Sequence, residues 1–144
     1  MPMRVSTRTR YGARAALEIA RSWGNKHVKR REIAERQQIS DSYLENILIA
    51  LKAHGLVKTV RGANGGFSLT RAPDRVSLFE LFQALEGELT PVECTADSDA
   101  CDRSADCVMR QVYQRLENAQ KQVLTGISLQ DLVDQARTEP DFCI

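Results

Sequence analysis

Apolar residues recur every three to four positions from early in the chain, with polar residues between them. Tyr11, Ala15, Ala16, Ile19, Ala20 and Trp23 share one face at this spacing, which predicts a helix over residues 9–23. Gly24 and Asn25 follow it, and such residues commonly end helices. A shorter helix is expected over 29–37, with Ile33 and Ala34 turned inward, and then a turn over 38–41. Ser42 and Glu45 have the S-x-x-E spacing of a capping box, in which hydroxyl and carboxylate each satisfy a free backbone N–H. A third helix is therefore expected over 42–54, with Tyr43, Leu44, Ile47, Leu48 and Leu51 as its apolar side and Gly55 closing it.

The period then changes from helical to alternating. Residues 56–60 and 67–70 read as strands, and the intervening Arg61-Gly62-Ala63-Asn64-Gly65-Gly66 is rich in residues that accept positive φ. Two helices joined by a turn of about four residues, with a hairpin directly behind them, form a winged helix-turn-helix. A connector over 71–75 precedes a second capping box, Ser77 and Glu80, which opens a helix over 78–85 with Leu78, Leu81, Phe82 and Leu85 facing inward. Residues 93–106 read as an acidic loop of small residues. A long helix is expected over 107–124, where Val108, Val112, Leu116, Ala119 and Val123 form a narrow stripe suited to pairing with a second copy. Ser128 caps a last helix over 129–137, and the tail 138–144 reads as loose or docked on a partner. The expected fold is mainly α with a small β-hairpin wing. A DNA-binding domain over 1–75 precedes a loop and dimerisation-helix region over 76–144.

Charge sharpens this division. The formal net charge of the whole chain is only +1. Residues 1–75 carry 15 Lys and Arg against 6 Asp and Glu, a net of +9, and residues 76–144 carry 5 against 13, a net of −8. A basic half of this kind meets a polyanion. With 42% hydrophobic and 27% charged residues the chain suits a globular protein. It has no apolar run long enough to cross a bilayer and no signal-peptide pattern near Met1, so a cytoplasmic location without membrane association is expected.

A helix in the major groove reads base edges near its N-terminus, which here offers Ser40, Ser42, Tyr43, Glu45 and Asn46. Glutamate accepts a hydrogen bond from cytosine and asparagine can bond adenine twice, while Glu45 also serves as a cap. Arg61 at the wing tip suits a narrow minor groove or a phosphate. Lys29, Arg30 and Arg31, with Arg4, Arg8, Arg10, Lys52 and Lys58, supply salt-dependent contacts to the DNA backbone. A dimer would bind two half-sites, a near-palindromic operator. His27 and His54 have no acid or nucleophile partner suggested by the sequence, so an enzyme is not expected.

Cys94, Cys101 and Cys107 have the spacing C-x6-C-x5-C, without the C-x2-C pairs of zinc ribbons and many ferredoxins. Their position in one loop that runs into the long helix points to a metal or cluster, a thiol switch or inert cysteines being the alternatives. Glu93, Asp97, Asp99, Asp102 and Asp106 face only Arg103 in charge, which would lower a cluster's reduction potential and favour its lability.

The chain resembles the IscR, NsrR and CymR family of bacterial winged-helix regulators over nearly its whole length. The resemblance rests on Met3-Arg4-Val5-Ser6-Thr7 with Arg10-Tyr11, on Ile39-Ser40-Asp41-Ser42-Tyr43-Leu44-Glu45, on Gly55-Leu56-Val57, on Arg61-Gly62-Ala63-Asn64-Gly65-Gly66-Phe67, and on the three cysteines. It implies a homodimeric transcription regulator that crosses its long helices, reads bases with Ser40, Ser42, Tyr43 and Glu45, and places Arg61 on the wing. It also implies an iron–sulfur cluster on Cys94, Cys101 and Cys107, a 2Fe–2S in preference to a 4Fe–4S centre, through which redox state, iron or nitric oxide would be sensed. In IscR the fourth ligand is a histidine three residues after the third cysteine, where this chain has Arg110; in NsrR-like proteins it is a carboxylate from the partner's first helix, where this chain has Arg10. The fourth ligand is thus open between Glu93, Asp106, Cys143, a residue of the other subunit, and a small thiol or water. Leu85-Glu86-Gly87, Pro91-Val92-Glu93 and the tail ending at Ile144 resemble the CymR branch, which controls cysteine metabolism and lacks these cysteines. In that alternative a partner protein or metabolite carries the signal, and the cysteines bind zinc or act as thiol switches.

Overall fold

The computed structural model describes residues 4–138, so Cys143 and most of the tail lie outside the described residues. Helix α1 spans Thr7–Arg21. Its start lies ahead of the expected one because Ser6 is the cap: the Ser6 hydroxyl accepts the Thr9 backbone N–H at 3.1 Å. The Ser6 N–H donates to Glu86 Oε1 at 2.9 Å, which fastens the beginning of α1 to a distant helix. Burial pushes the Glu86 carboxyl up, but hydrogen bonds from Ser6 and Thr9 outweigh it and hold the group below the usual glutamate range. At the other end the Ser22 and Trp23 N–H groups turn back to the Ile19 and Ala20 carbonyls. The tightened turn takes Trp23 off the apolar face, and the ring is 41% exposed instead of buried as the spacing suggested.

Helix α2 spans Arg30–Gln37 and ends on Gln38 in the left-handed conformation, φ 53° and ψ 48°. Ile39 is buried, and Ser40 is already the N-cap of helix α3, Asp41–Ala53. The expected capping box of Ser42 and Glu45 is therefore absent. Only Ile39 and Ser40 separate the left-handed residue from α3, so Ser42 falls inside the first turn and Glu45 is released from capping. Strands β1, Val57–Val60, and β2, Gly66–Leu69, pair antiparallel with Val57 opposite Leu69 and Val60 opposite Gly66. Val57 and Leu69 point into the core. Near its tip, strand β2 is clamped to the segment before α2: the Val28 N–H donates to the Phe67 carbonyl at 3.0 Å and the Phe67 N–H to the Val28 carbonyl at 2.7 Å.

Helix α4, Leu78–Glu86, has the expected capping box, with the Glu80 N–H on Ser77 Oγ at 3.2 Å and the Ser77 N–H on Glu80 Oε2 at 3.1 Å. A short helix α5, Glu93–Ala96, interrupts the segment expected to be loop. Helix α6 is Val108–Thr125 and helix α7 is Leu129–Thr138. Ser128 caps α7 as expected, accepting the Asp131 N–H at 3.1 Å. The entry to α7 lies beside the entry to α4, since the Leu78 N–H bonds the Ile127 carbonyl and the Leu129 N–H bonds the Val76 carbonyl, both at 2.9 Å.

One core unites these elements. Ala15 and Ile19 of α1 meet Ile33, then Leu44, Ile47 and Leu51 of α3, Leu69 of the wing, Leu81 of α4, and Leu129 and Val133 of α7. Helix α6 buries none of its residues. The fold is mainly α with a two-stranded hairpin, as the hydrophobic pattern indicated.

Candidate nucleic-acid interface and cysteine loop

Helix α3 divides cleanly by face. Leu44, Ile47, Leu48 and Leu51 are buried, while Ser42, Glu45, Asn46, Ile49 and Lys52 are exposed, a spacing of three and four that keeps them on one outer surface. Ser40 is exposed at the tip and Tyr43 is half-buried. Arg30, in the first turn of α2, reaches across to this surface, with Nε 2.9 Å from Asp41 Oδ1 and a terminal guanidinium nitrogen 3.4 Å from Glu45 Oε1. Both pairs are solvent-exposed, so they orient side chains more than they stabilise the fold. Lys29 caps α2 and is exposed; Arg31 is exposed and pairs along its own helix with Glu35 at 2.9 Å. Lys52 Nζ donates to Thr59 Oγ1 at 3.2 Å and so joins α3 to the wing. At the wing tip Arg61 is exposed, beside a turn closed by the Gly65 N–H on the Gly62 carbonyl at 3.0 Å.

A support for α3 that the sequence pattern did not disclose runs behind its tip. The Tyr43 ring meets the Tyr11 ring edge-on, with centroids 5.8 Å apart, and the Arg14 guanidinium lies 4.9 Å from the Tyr11 centroid. Arg14 Nε donates to Gln37 Oε1 at 3.0 Å, and Gln37 Nε2 donates to Glu18 Oε1 at 2.7 Å. Glu18 is only 4% exposed and also faces Arg21 and Arg36, each at 3.4 Å. Helical spacing places Glu18 among buried alanines, and nothing in the spacing says that Gln37 would reach it. Glu18→Ala strips Gln37 and two guanidiniums of their acceptor and is expected to lower unfolding free energy by about 1–3 kcal/mol in urea titration. Glu18→Gln, which keeps an amide oxygen in place, is expected to recover part of that loss.

The three cysteines lie at one end of α6. Cys94 is half-buried on α5, Cys101 is exposed, and Cys107 is the half-buried N-cap of α6; all three are free thiols. Local ties shape the loop: the Asp99 N–H on Asp97 Oδ1 at 2.9 Å, the Ser104 N–H on the Cys101 carbonyl at 3.1 Å, and the Ser104 hydroxyl on the Ser98 carbonyl. Arg110 donates from Nε to the Cys94 carbonyl at 2.9 Å and binds the loop to the first turn of α6. Three thiolates suit an iron–sulfur cluster in kind. Among the described residues no three His, Cys, Asp or Glu side chains converge on one point. Beyond this loop α6 presents Val108 at 74%, Val112 at 41% and Val123 at 60% exposure, the stripe read from the sequence.

A helix-turn-helix with a hairpin wing and a basic outer face defines the class: a DNA-binding transcription regulator. The family model of the Rrf2 iron-dependent transcriptional regulators matches residues 5–135, and the chain belongs to that family. It is 32% identical over 139 residues to the HTH-type transcriptional regulator CymR of Bacillus subtilis, covering 96% of each chain. The solved structure of that B. subtilis protein, described as the global cysteine regulator, superposes with a TM-score of 0.78 over 92% of this chain and 98% of the other, at 32% identity. IscR of T. potens superposes with a TM-score of 0.79 at 32% identity, over 99% of this chain and 93% of the other. The relatives are transcription regulators and not enzymes, and so is this chain.

Proposed function

We propose that the protein is a homodimeric regulator that reads a near-palindromic operator with residues 1–75 and senses through residues 76–144. The observation that carries the reading half is the outer face of α3, where Ser42, Glu45 and Asn46 stand exposed beside a wing bearing Arg61. Ser40, Ser42, Tyr43, Glu45 and Asn46 address base edges and adjacent phosphates, Arg61 enters the minor groove, and Lys29, Arg30 and Arg31 hold the backbone. Arg30 keeps Glu45 from facing phosphates as an uncompensated anion.

Cys94, Cys101 and Cys107 would hold an iron–sulfur cluster, which supplies one-electron redox chemistry when bound. The chain's own part is transmission. Cys107 begins α6 and Arg110 holds the Cys94 carbonyl, so any repacking of the 94–107 loop bears on the helix whose apolar stripe pairs the two subunits. The spacing of the reading ends would follow. The test is anaerobic purification with visible spectra and iron and sulfide analysis, on wild type and on Cys→Ala at 94, 101 and 107. Loss of visible absorbance with altered DNA affinity is expected for each variant. A triple variant that binds every promoter as wild type does would sink the sensing role, and zinc without iron or sulfide would favour the cysteine-metabolism alternative.

A further inference from the structure

Ile49 is the one large apolar side chain on the outer face of α3 among the described residues, and it is 59% exposed. It follows Glu45 by four positions and Asn46 by three, and precedes Lys52 by three, which sets it in line with the polar reading residues. A shallow depression lies on each side of it. One is lined by Arg30, Glu45 and Lys52 over a floor of Leu48 and Phe67, the other by Arg8, Tyr43 and Asn46 over Ile47 and Ala50. The apolar spot is therefore bordered by three cationic side chains, two hydrogen-bonding ones and Tyr43. Ile49 is the exposed summit of this small apolar area, whose other apolar members are buried or half-buried, and the cations on its rim outnumber the one carboxylate, Glu45, so the surroundings suit a phosphate-flanked groove.

In a major groove the matching feature is the C5-methyl of thymine, the apolar group that distinguishes thymine from cytosine there. We propose that Ile49 is a thymine-reading residue, packing its branched side chain on the methyl group of one thymine in each half-site. The inference rests on the reading of α3 as the groove helix. It adds an apolar discrimination to the hydrogen-bonding ones and sets it about two helical turns beyond Ser42. Arg30, Lys52 and Arg8 would straddle the groove as the flanking backbone contacts.

The methyl group can be removed from the DNA without touching the protein. Wild type is first used to enrich its preferred duplexes from a random library. Each thymine of the preferred site is then replaced singly by deoxyuridine, which lacks the methyl, and wild type and Ile49→Ala are titrated on every duplex. At one thymine per half-site the replacement is expected to weaken wild type about 4-fold, the value for one methyl-sized apolar group. Ile49→Ala is expected to bind the two duplexes equally there, and to keep the wild-type response at every other position. Because Ile49 is exposed, the alanine variant retains its thermal midpoint. The inference is overturned if no thymine methyl matters to wild type, or if the 4-fold effect persists in Ile49→Ala. Failure of wild type to enrich any sequence overturns instead the groove reading on which it stands.

Discussion

If α6 pairs two copies as proposed, Val112→Glu combined with Val123→Glu is expected to yield a monomer that has lost its affinity for a two-half-site operator. The two valines lie on the exposed stripe of α6, a helix none of whose residues is fully buried. Each is already partly covered, so its further burial against a twin helix contributes about 1 kcal/mol, below the range for full burial of a valine. Two valines in each of two subunits contribute roughly 4 kcal/mol, a change of about 10³-fold in the dimer dissociation constant before any charge repulsion is counted. Four carboxylates forced into one apolar seam add to that loss. On DNA the monomer loses the effective concentration that couples two half-sites, a factor of about 10² or more. Light scattering reads the mass, and titration on whole and half operators separates the terms: affinity for the whole site falls while affinity for a half-site is kept. Asn118→Glu places the same charge on an exposed position away from the stripe and is expected to leave both unchanged. A double variant that remains dimeric at micromolar concentration would remove α6 from the interface.

The stripe was legible in the sequence because its spacing is a property of one helix alone. The buried faces of α1 and α3 were legible for the same reason. What the spacing could not carry was contact between elements. Ser42 and Glu45 match a capping box letter for letter, yet a left-handed Gln38 and a buried Ile39 fix the start of α3 at Asp41. Glu45 then turns to Arg30, a residue of another helix. Glu18, Gln37 and Arg14 form a chain across two helices whose links are 19 and 23 positions apart. The exposure of Ile49 was within reach of the periodicity, since it lies seven positions after Ser42. The helical spacing leaves Ile49 off the apolar side of α3, but spacing alone gives an exposed isoleucine no role.

The cysteine loop is legible in a different way. Its donors were visible as residue types, and their spacing matches no closed motif. The structure joins the loop to α6 by Arg110, a residue that had counted only as a missing ligand. A long cationic side chain that cannot bind iron thus still has a place in the same corner, holding a backbone carbonyl next to the first thiol.

Gly66→Ala is expected to unseat the wing and lower the thermal midpoint by roughly 10 °C. Gly66 opens β2 with φ at +150°, and a Cβ there would stand 2.6 Å from the Val28 carbonyl oxygen. That oxygen belongs to backbone that cannot swing aside, because Val28 is buried and exchanges both of its backbone hydrogen bonds with Phe67. Alanine must break the clamp or force the backbone. Two hydrogen bonds at about 0.5–1.5 kcal/mol each, with about 1–3 kcal/mol of local strain, place the cost at about 2–6 kcal/mol. For a chain of this length that is roughly 3–4 °C per kcal/mol. Gly62→Ala is the control, since φ at +112° gives it a comparable backbone strain with no atom within 4 Å of the added Cβ. It should lose only the strain, about 1 kcal/mol. If the wing is held for reading, the variants also part on DNA. Gly66→Ala releases the strand that carries Phe67 and shifts Arg61 through the β1–β2 pairing, so affinity falls even well below its thermal midpoint. Gly62→Ala leaves the clamp closed and binds nearly as wild type. Equal thermal midpoints for the two variants would mean that the Val28–Phe67 clamp does not hold the wing.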